Sequence, residues 1–415
     1  ISQVLDALNL SYIVDSGASR DALPTWMFEG TGAIPCGTTE LTSSNGQAII
    51  QRYEVDTMPR AQPATTPQAE AGSTPAAVAD PVAPESAPSG PTLTSAPDAW
   101  QLLDLNIDGV PGVSAARTYD ELLAASEPAR SVIVAVIDGG IDTTHVDLRD
   151  NLWVNEAEIA GNGVDDDGNG YVDDIYGWNF LGGSDGRSVG HETLEVTRLY
   201  AACLAGQQSP VAQSCQDIEA DYRTESDEVA QTLQVLDQID QAYEFALPIL
   251  RGAGAGETPT KESVESLSAM RPDITQARSV FLQLVDILPA EDVPDAREAY
   301  EGLRDYGLNL EFEPRADIVG DDLSNGTEQG YGNPDVHATD PRHGTHVSGI
   351  IGAVRDNGAG IDGIGSSVRL MALRAVPDGD ERDKDIANAI RYAVDHGAHI
   401  INMSFGKGFS PRKRL

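Results

Sequence analysis

His343 opens the segment HGTHVSGIIGAV (His343 to Val354), and Asp138 closes the apolar run SVIVAVID (Ser131 to Asp138). These two residue types belong to one kind of chemistry. A hydroxyl nucleophile is weak at neutral pH and needs an imidazole to take its proton; the imidazole in turn needs a carboxylate to fix its tautomer and stabilise its cation. An aspartate at a strand end and a histidine opening a helix of the same sheet could supply the base and its orienting group; an aspartate capping a strand and a structural histidine are the other reading. The nucleophile is harder to place. Downstream of His343 the serines are Ser348, Ser366, Ser367, Ser404 and Ser410. Ser348 falls within the helix, Ser366 and Ser367 enter a strand, and none stands in a nucleophile context. His346, three residues past His343, reads as a structural helix residue.

A second constellation lies in GNGVDDDGNGYVDDIYGWNF, Gly161 to Phe180. Asp165, Asp167 and Asn169 alternate before Gly170, and Asp173 follows, as in the first part of an EF-hand-type loop. Hard oxygen ligands at this spacing wrap one Ca²⁺, with the Tyr171 carbonyl adding another and glycine allowing the turn. Position twelve is Tyr176 rather than glutamate, so Asp174 or a residue elsewhere must complete the shell. The competing reading is a solvated acidic turn; adjacent unpaired carboxylates repel, which favours the cation.

Elements that could position these residues follow from periodicity. Val347, Ile350, Ile351 and Val354 recur at helical spacing, so His343 stands at the start of a helix with one buried stripe. Gly344, Gly349 and Gly352 cost helix propensity, which is reasonable where another backbone packs closely. Ser367 to Val376 and His399 to Gly406 read as strands. Between them Ile386, Ala389, Ile390, Ala393 and Val394 make a helical stripe ending at Gly397, a natural C-cap. Strand, helix, strand, helix, strand predicts an α/β fold with a parallel sheet and right-handed crossovers. The roughly two hundred residues between Asp138 and His343 far exceed a crossover. Val229, Leu233, Leu236, Ile239, Ala242, Phe245 and Ile249, then Ile274, Ala277, Phe281, Leu284 and Leu288, predict two or three amphipathic helices in an insert at about 190–310.

VIVAVIDGGIDTTHVDL, HGTHVSGIIGA and IINMSFG, in that order, resemble the subtilisin-like serine proteases, the subtilase family. The resemblance covers about residues 98–415 and implies a three-layer parallel-sheet fold, incomplete at the C-terminus, that hydrolyses peptide bonds of a polypeptide substrate. It makes Asp138 the orienting carboxylate and His343 the general base. Ser404, Phe405 and Gly406 would form the strand edge that pairs with an extended substrate. It also implies a second calcium site, with Asp147 as a ligand beside the loop after the His343 helix, around Asn357. Secretion, or a periplasmic or cell-surface location, is the family expectation, although no signal peptide is visible before Ile1. Two departures stand out. Gly139 replaces the family's usual Ser or Thr after the aspartate, and the GTSMA-like block with the nucleophile and the segment with the oxyanion-hole Asn have no counterpart. The chain is therefore expected to be truncated before its serine and inactive as it stands. In subtilisin, loss of the serine alone lowers kcat about 2 × 10⁶-fold.

Charge narrows the alternatives. Lys+Arg 27 against Asp+Glu 66 gives a net charge of −39, which repels phosphate backbones and anionic lipid and argues against nucleic-acid and membrane-surface partners. No apolar run approaches the length of a membrane span. Residues 1–60 mix strand-like runs with turns and read as a small β-rich segment. There YIVDSGASRD (Tyr12 to Asp21) resembles a retropepsin-like aspartic protease, whose chains each give one aspartate, here Asp15, to a shared-proton dyad; a strand-turn without catalytic role is the other reading. Residues 61–97, rich in Pro, Ala, Ser and Thr, read as a disordered linker. Cys203 and Cys215 either close a small loop in an exported protein or are free thiols, with Cys36 left over. A non-catalytic, calcium-stabilised peptide-binding module is the alternative from another functional class.

Overall fold

An apolar strand covered on both faces needs a layer on each side, and β1 (Val132–Asp138) has both. The computed structural model describes residues 96–97, 99–124, 128–268 and 271–412. The expectations for residues 1–60, Asp15, Cys36 and nearly all of 61–97 lie outside these residues. Strand β2 is Gly177–Asn179, β3 is Val368–Arg374 and β4 is Ile400–Met403, in the sheet order β2-β3-β1-β4. All three pairings are parallel. Between β2 and β3 run the helices α1 (Glu195–Leu204), α2 (Cys215–Gly252), α3 (Pro272–Leu284), α4 (Val293–Gly302) and α5 (Arg342–Gly352); α6 (Asp383–Asp395) follows β3.

Alternation along β1 separates the two faces. Val136 packs with Leu148, Leu152, Leu370 and Ala372 beneath Val347 and Ile351 of α5. Ala135 and Ile137 point the other way, with Trp178, Phe180, Met371 and Leu373, against Ala389, Tyr392 and Ala393 of α6. The result is the expected three-layer α/β fold. Each fully buried aliphatic side chain, such as Ile137, contributes about 1.5–3 kcal/mol of transfer free energy. Among the described residues β4 is the last strand on one side of the sheet, and its Ile400 and Met403 are 54% and 49% exposed.

Several sequence expectations need correction. The strands are shorter than read, β4 stopping at Met403 rather than Gly406, and the three-residue β2 was not foreseen because its run is too short for a period to show. On α5 the buried residues are Gly344, Ser348, Gly349 and Gly352, while Val347, Ile350 and Ile351 are half-buried and Val354 lies past the helix. Glycines face the sheet because they allow the closest approach: a Cβ on Gly352 would lie 2.3 Å from Val368 Cγ2. On α6 the buried face carries Lys384, Asp385 and Asn388 as well as Ala389, Tyr392 and Ala393, and Val394 is exposed. Arg315 explains the charge, since its Nη1 and Nη2 each donate to Asp385 at 2.7 Å and Tyr331 Oη adds a third bond at 2.8 Å. A buried carboxylate is tolerable when satisfied in this way.

The insert is helical but built on one 38-residue helix, α2. Ser214 caps it: its Oγ accepts from Asp217 N, and Asp217 Oδ2 accepts from Ser214 N at 3.0 Å. The buried stripe is Val229, Leu236, Ile239, Tyr243, Ala246 and Leu250; Phe245 is exposed, one position off the face that meets α3 and α4. Ala277 and Phe281 of α3 and Val293 of α4 complete a core distinct from that of the sheet. Cys203 and Cys215 form a disulfide, Cα atoms 5.6 Å apart, joining the end of α1 to the start of α2.

Candidate active site

The carboxyl end of β1 presents Asp138, whose side chain is 4% exposed. Gly139 N donates to Asp138 Oδ1 at 2.8 Å. His343 sits in the first turn of α5 and places Nδ1 at 2.8 Å from Oδ1 and 2.9 Å from Oδ2. A carboxylate is acceptor only, so Nδ1 is the nitrogen that donates, and in the neutral ring the lone pair is then on Nε2. The His343 side chain is 64% exposed.

Backbone fit brings the pair together. A Cβ on Gly344 would meet Gly140 O at 2.2 Å and Asp138 Oδ1 at 3.1 Å, so only glycine lets α5 approach the strand end this closely. Asp142 N donates to Thr345 Oγ1 at 2.8 Å, tying the loop after β1 to the same helix turn. The threonine of the HGTH block is thus a tether between the two halves of the site.

Among the described residues no serine hydroxyl hydrogen-bonds His343. Ser348 is fully buried, its Oγ without a partner, and five residues along a helix place it about 140° around the axis from His343. Ser367 Oγ donates to Arg130 O, Ser404 Oγ accepts from Asn402 Nδ2, and Ser410 Oγ donates to Asp383 Oδ1. Ser366 is exposed, with its N–H on Tyr119 Oη. His346 is exposed on α5.

Ser404, Phe405 and Gly406 continue past β4 without strand pairing. Phe405 packs partly on the α6 side of the core. Lys407 anchors the next step: its Nζ reaches Glu195 Oε2 at 2.9 Å, Asp383 Oδ1 at 2.8 Å and Glu381 O at 2.6 Å. Burial opposes ionisation of Glu195, yet Arg198 and Lys407 hold its carboxyl below the ordinary glutamate value. The segment after the edge strand is therefore fixed to the insert through α1.

The acidic loop gathers some of the expected ligands and not others. Glu158, Asp165 and Asp167 each offer an oxygen, all within 4.8 Å of one another. Glu158 was not foreseen, because it lies outside the alternating pattern; its Oε1 also accepts from Asp166 N and Asp167 N. Asp173 is turned away: its two oxygens accept from Asn162 N and Gly163 N, and its φ of 57° redirects the chain. The Asn169 amide oxygen is taken by Tyr171 N, and the Tyr171 ring enters the core against Trp178 and Tyr392. Asp174 is buried and anchors the loop, accepting from Asn155 Nδ2, Asn169 Nδ2 and Tyr392 Oη. Burial pushes its carboxyl up, with these bonds working against the rise. Asp147 stands with the loop after α5: Oδ1 accepts from Asn357 Nδ2 at 2.7 Å and Oδ2 from Ile361 N at 2.9 Å. The all-oxygen trio of Glu158, Asp165 and Asp167 fits a hard cation such as Ca²⁺ rather than a thiolate- or imidazole-seeking metal.

Residues 129–414 match the family model described as the subtilase family. The chain is also similar to a thermophilic serine proteinase from Bacillus sp. (strain AK1), 48% identical over 65 residues, which is 15% of this chain and 16% of that protein. Halolysin from Haloferax mediterranei is 44% identical over 73 residues, 18% of this chain and 14% of its own length. Subtilisin-like protease 1 from Plasmodium vivax is 58% identical over 52 residues, 12% of this chain and 8% of its own length. The chain thus spans less than a fifth of each of these relatives.

Proposed function

Because the chain belongs to the subtilase family, we propose that it carries the acid-base half of a serine endopeptidase, with His343 as general base and Asp138 as its orienting carboxylate. The observation that carries this reading is the contact of His343 Nδ1 with both oxygens of buried Asp138. In that arrangement Nε2 takes the proton of a serine hydroxyl as the oxygen bonds to the peptide carbonyl carbon. The same nitrogen then returns the proton to the leaving amine, and Asp138 stabilises the imidazolium between the two transfers without itself being protonated. The substrate is an extended polypeptide lying along the exposed edge at β4 and Ser404–Gly406, where main-chain pairing needs no particular side chain.

On this reading Asp138 and His343 are two members of the triad, and among the described residues no serine hydroxyl bonds to His343 as the third. Glu158, Asp165 and Asp167 would hold a structural Ca²⁺ that neutralises the acidic loop, and Asp147 with the Asn357 loop a second one. The disulfide favours an oxidising compartment, hence an exported protein. The exposed β4 edge equally suits a peptide-binding module without turnover, which is the second reading.

The test has two arms, each using casein and a serine-directed fluorophosphonate. The 415-residue chain should show no inhibitor-sensitive cleavage. Joined to a segment bearing a GTSMA block, it should cleave, and His343→Ala should remove that activity by about 10⁶-fold. A folded joined chain that never cleaves counts against the peptidase reading; inhibitor-sensitive cleavage by the 415-residue chain places a nucleophile within it.

A further inference from the structure

Arg374 ends β3 directly beside Asp138 in the parallel register and is 4% exposed. Its Nε donates to Gly139 O at 2.9 Å and its Nη2 to Val189 O at 3.0 Å, while Nη1 is buried without a partner. Burying a guanidinium is costly unless an anion meets it. Among the described residues no carboxylate bonds to Arg374; Asp335 and Asp378 act on it only through space, and burial pushes its pKa down. Ion pairing therefore does not account for its position.

What Arg374 does hold is Gly139, the residue whose N–H donates to Asp138 Oδ1. A glycine has no side chain to restrict its own rotation, so an external tie on its carbonyl limits how far its N–H swings. We propose that Arg374 is a positioning residue for the Asp138–His343 pair, clamping Gly139 so that its N–H stays on the carboxylate and the carboxylate stays on His343 Nδ1. This rests on the pair being the acid-base half of the site.

The readout is the low-field Nδ1–H resonance of His343 in the 415-residue chain, followed by NMR together with its exchange with water. Arg374→Lys keeps the stem and the cation but loses the fork, and should speed that exchange about tenfold, the worth of one hydrogen bond, with the melting curve and near-ultraviolet dichroism still those of a folded chain. Gly139→Ser in the same variant should restore slow exchange by giving Asp138 a hydroxyl; a Cβ there comes no closer than 3.2 Å, to Val376 O. Asp138→Asn should abolish the resonance. Wild-type exchange in Arg374→Lys, with the resonance lost in Asp138→Asn, overturns the role of Arg374 alone. An unchanged resonance in Asp138→Asn overturns the pair itself. Should Arg374→Lys not fold, the wild-type Arg374 Nε–H resonance is expected to move as the His343 ring is protonated, and a flat response would overturn the proposal.

Discussion

At residue 344 two preferences oppose each other. Alanine is better than glycine in a helix by about 1 kcal/mol, but its methyl group would sit 2.2 Å from Gly140 O and beside Asp138. Overpacking against backbone costs about 1–3 kcal/mol and cannot be relieved by a rotamer change. Gly344→Ala should therefore lose up to about 2 kcal/mol of stability in urea and should move the His343 ring resonances; a variant as stable as wild type with an unmoved ring would contradict the close approach. Residue type alone carried the pair weakly, an aspartate closing a strand and a histidine opening a helix each being common, and it was through the resemblance of the surrounding blocks that these two residues were legible. Arg374 and Glu158 were not. An arginine ending a strand reads as solvent-facing, and only the sheet register shows it buried beside Asp138.

At the scale of elements, the loop from Glu158 to Asp174 is where a cation would act. Three carboxylates within 4.8 Å repel one another until a cation sits among them. Ca²⁺ at about a hundredfold its dissociation constant should stabilise the fold by about 2.7 kcal/mol, read as a rise in melting temperature that EDTA reverses and the Glu158→Gln, Asp165→Asn double variant lacks. An identical melting curve with Ca²⁺ and with EDTA would remove calcium from the account. The acidic alternation announced the loop, yet it also drew in Asp173, because spacing alone cannot show that a left-handed residue turns its carboxylate to another turn. The order β1, α5, β3, α6, β4 was read from apolar runs, with β2 missed. The polar face of α6 was not, because Lys384 and Asp385 look solvated until Asp321 is placed against the lysine and Arg315 against the aspartate, both far upstream in the chain.

For the whole molecule, the sheet delivers Asp138 from its interior and α5 delivers His343 across a glycine seam. The insert contributes no residue to the pair, yet through Glu195 and Lys407 it fixes the chain just past β4. The general-base role of His343 depends on which imidazole nitrogen bears the proton, and ¹⁵N NMR of the neutral ring reads that directly. That role requires an Nδ1–H tautomer in the wild-type chain, shifted toward Nε2–H by Asp138→Asn. A wild-type ring already protonated on Nε2 would contradict it, since that nitrogen could then accept no proton from a nucleophile.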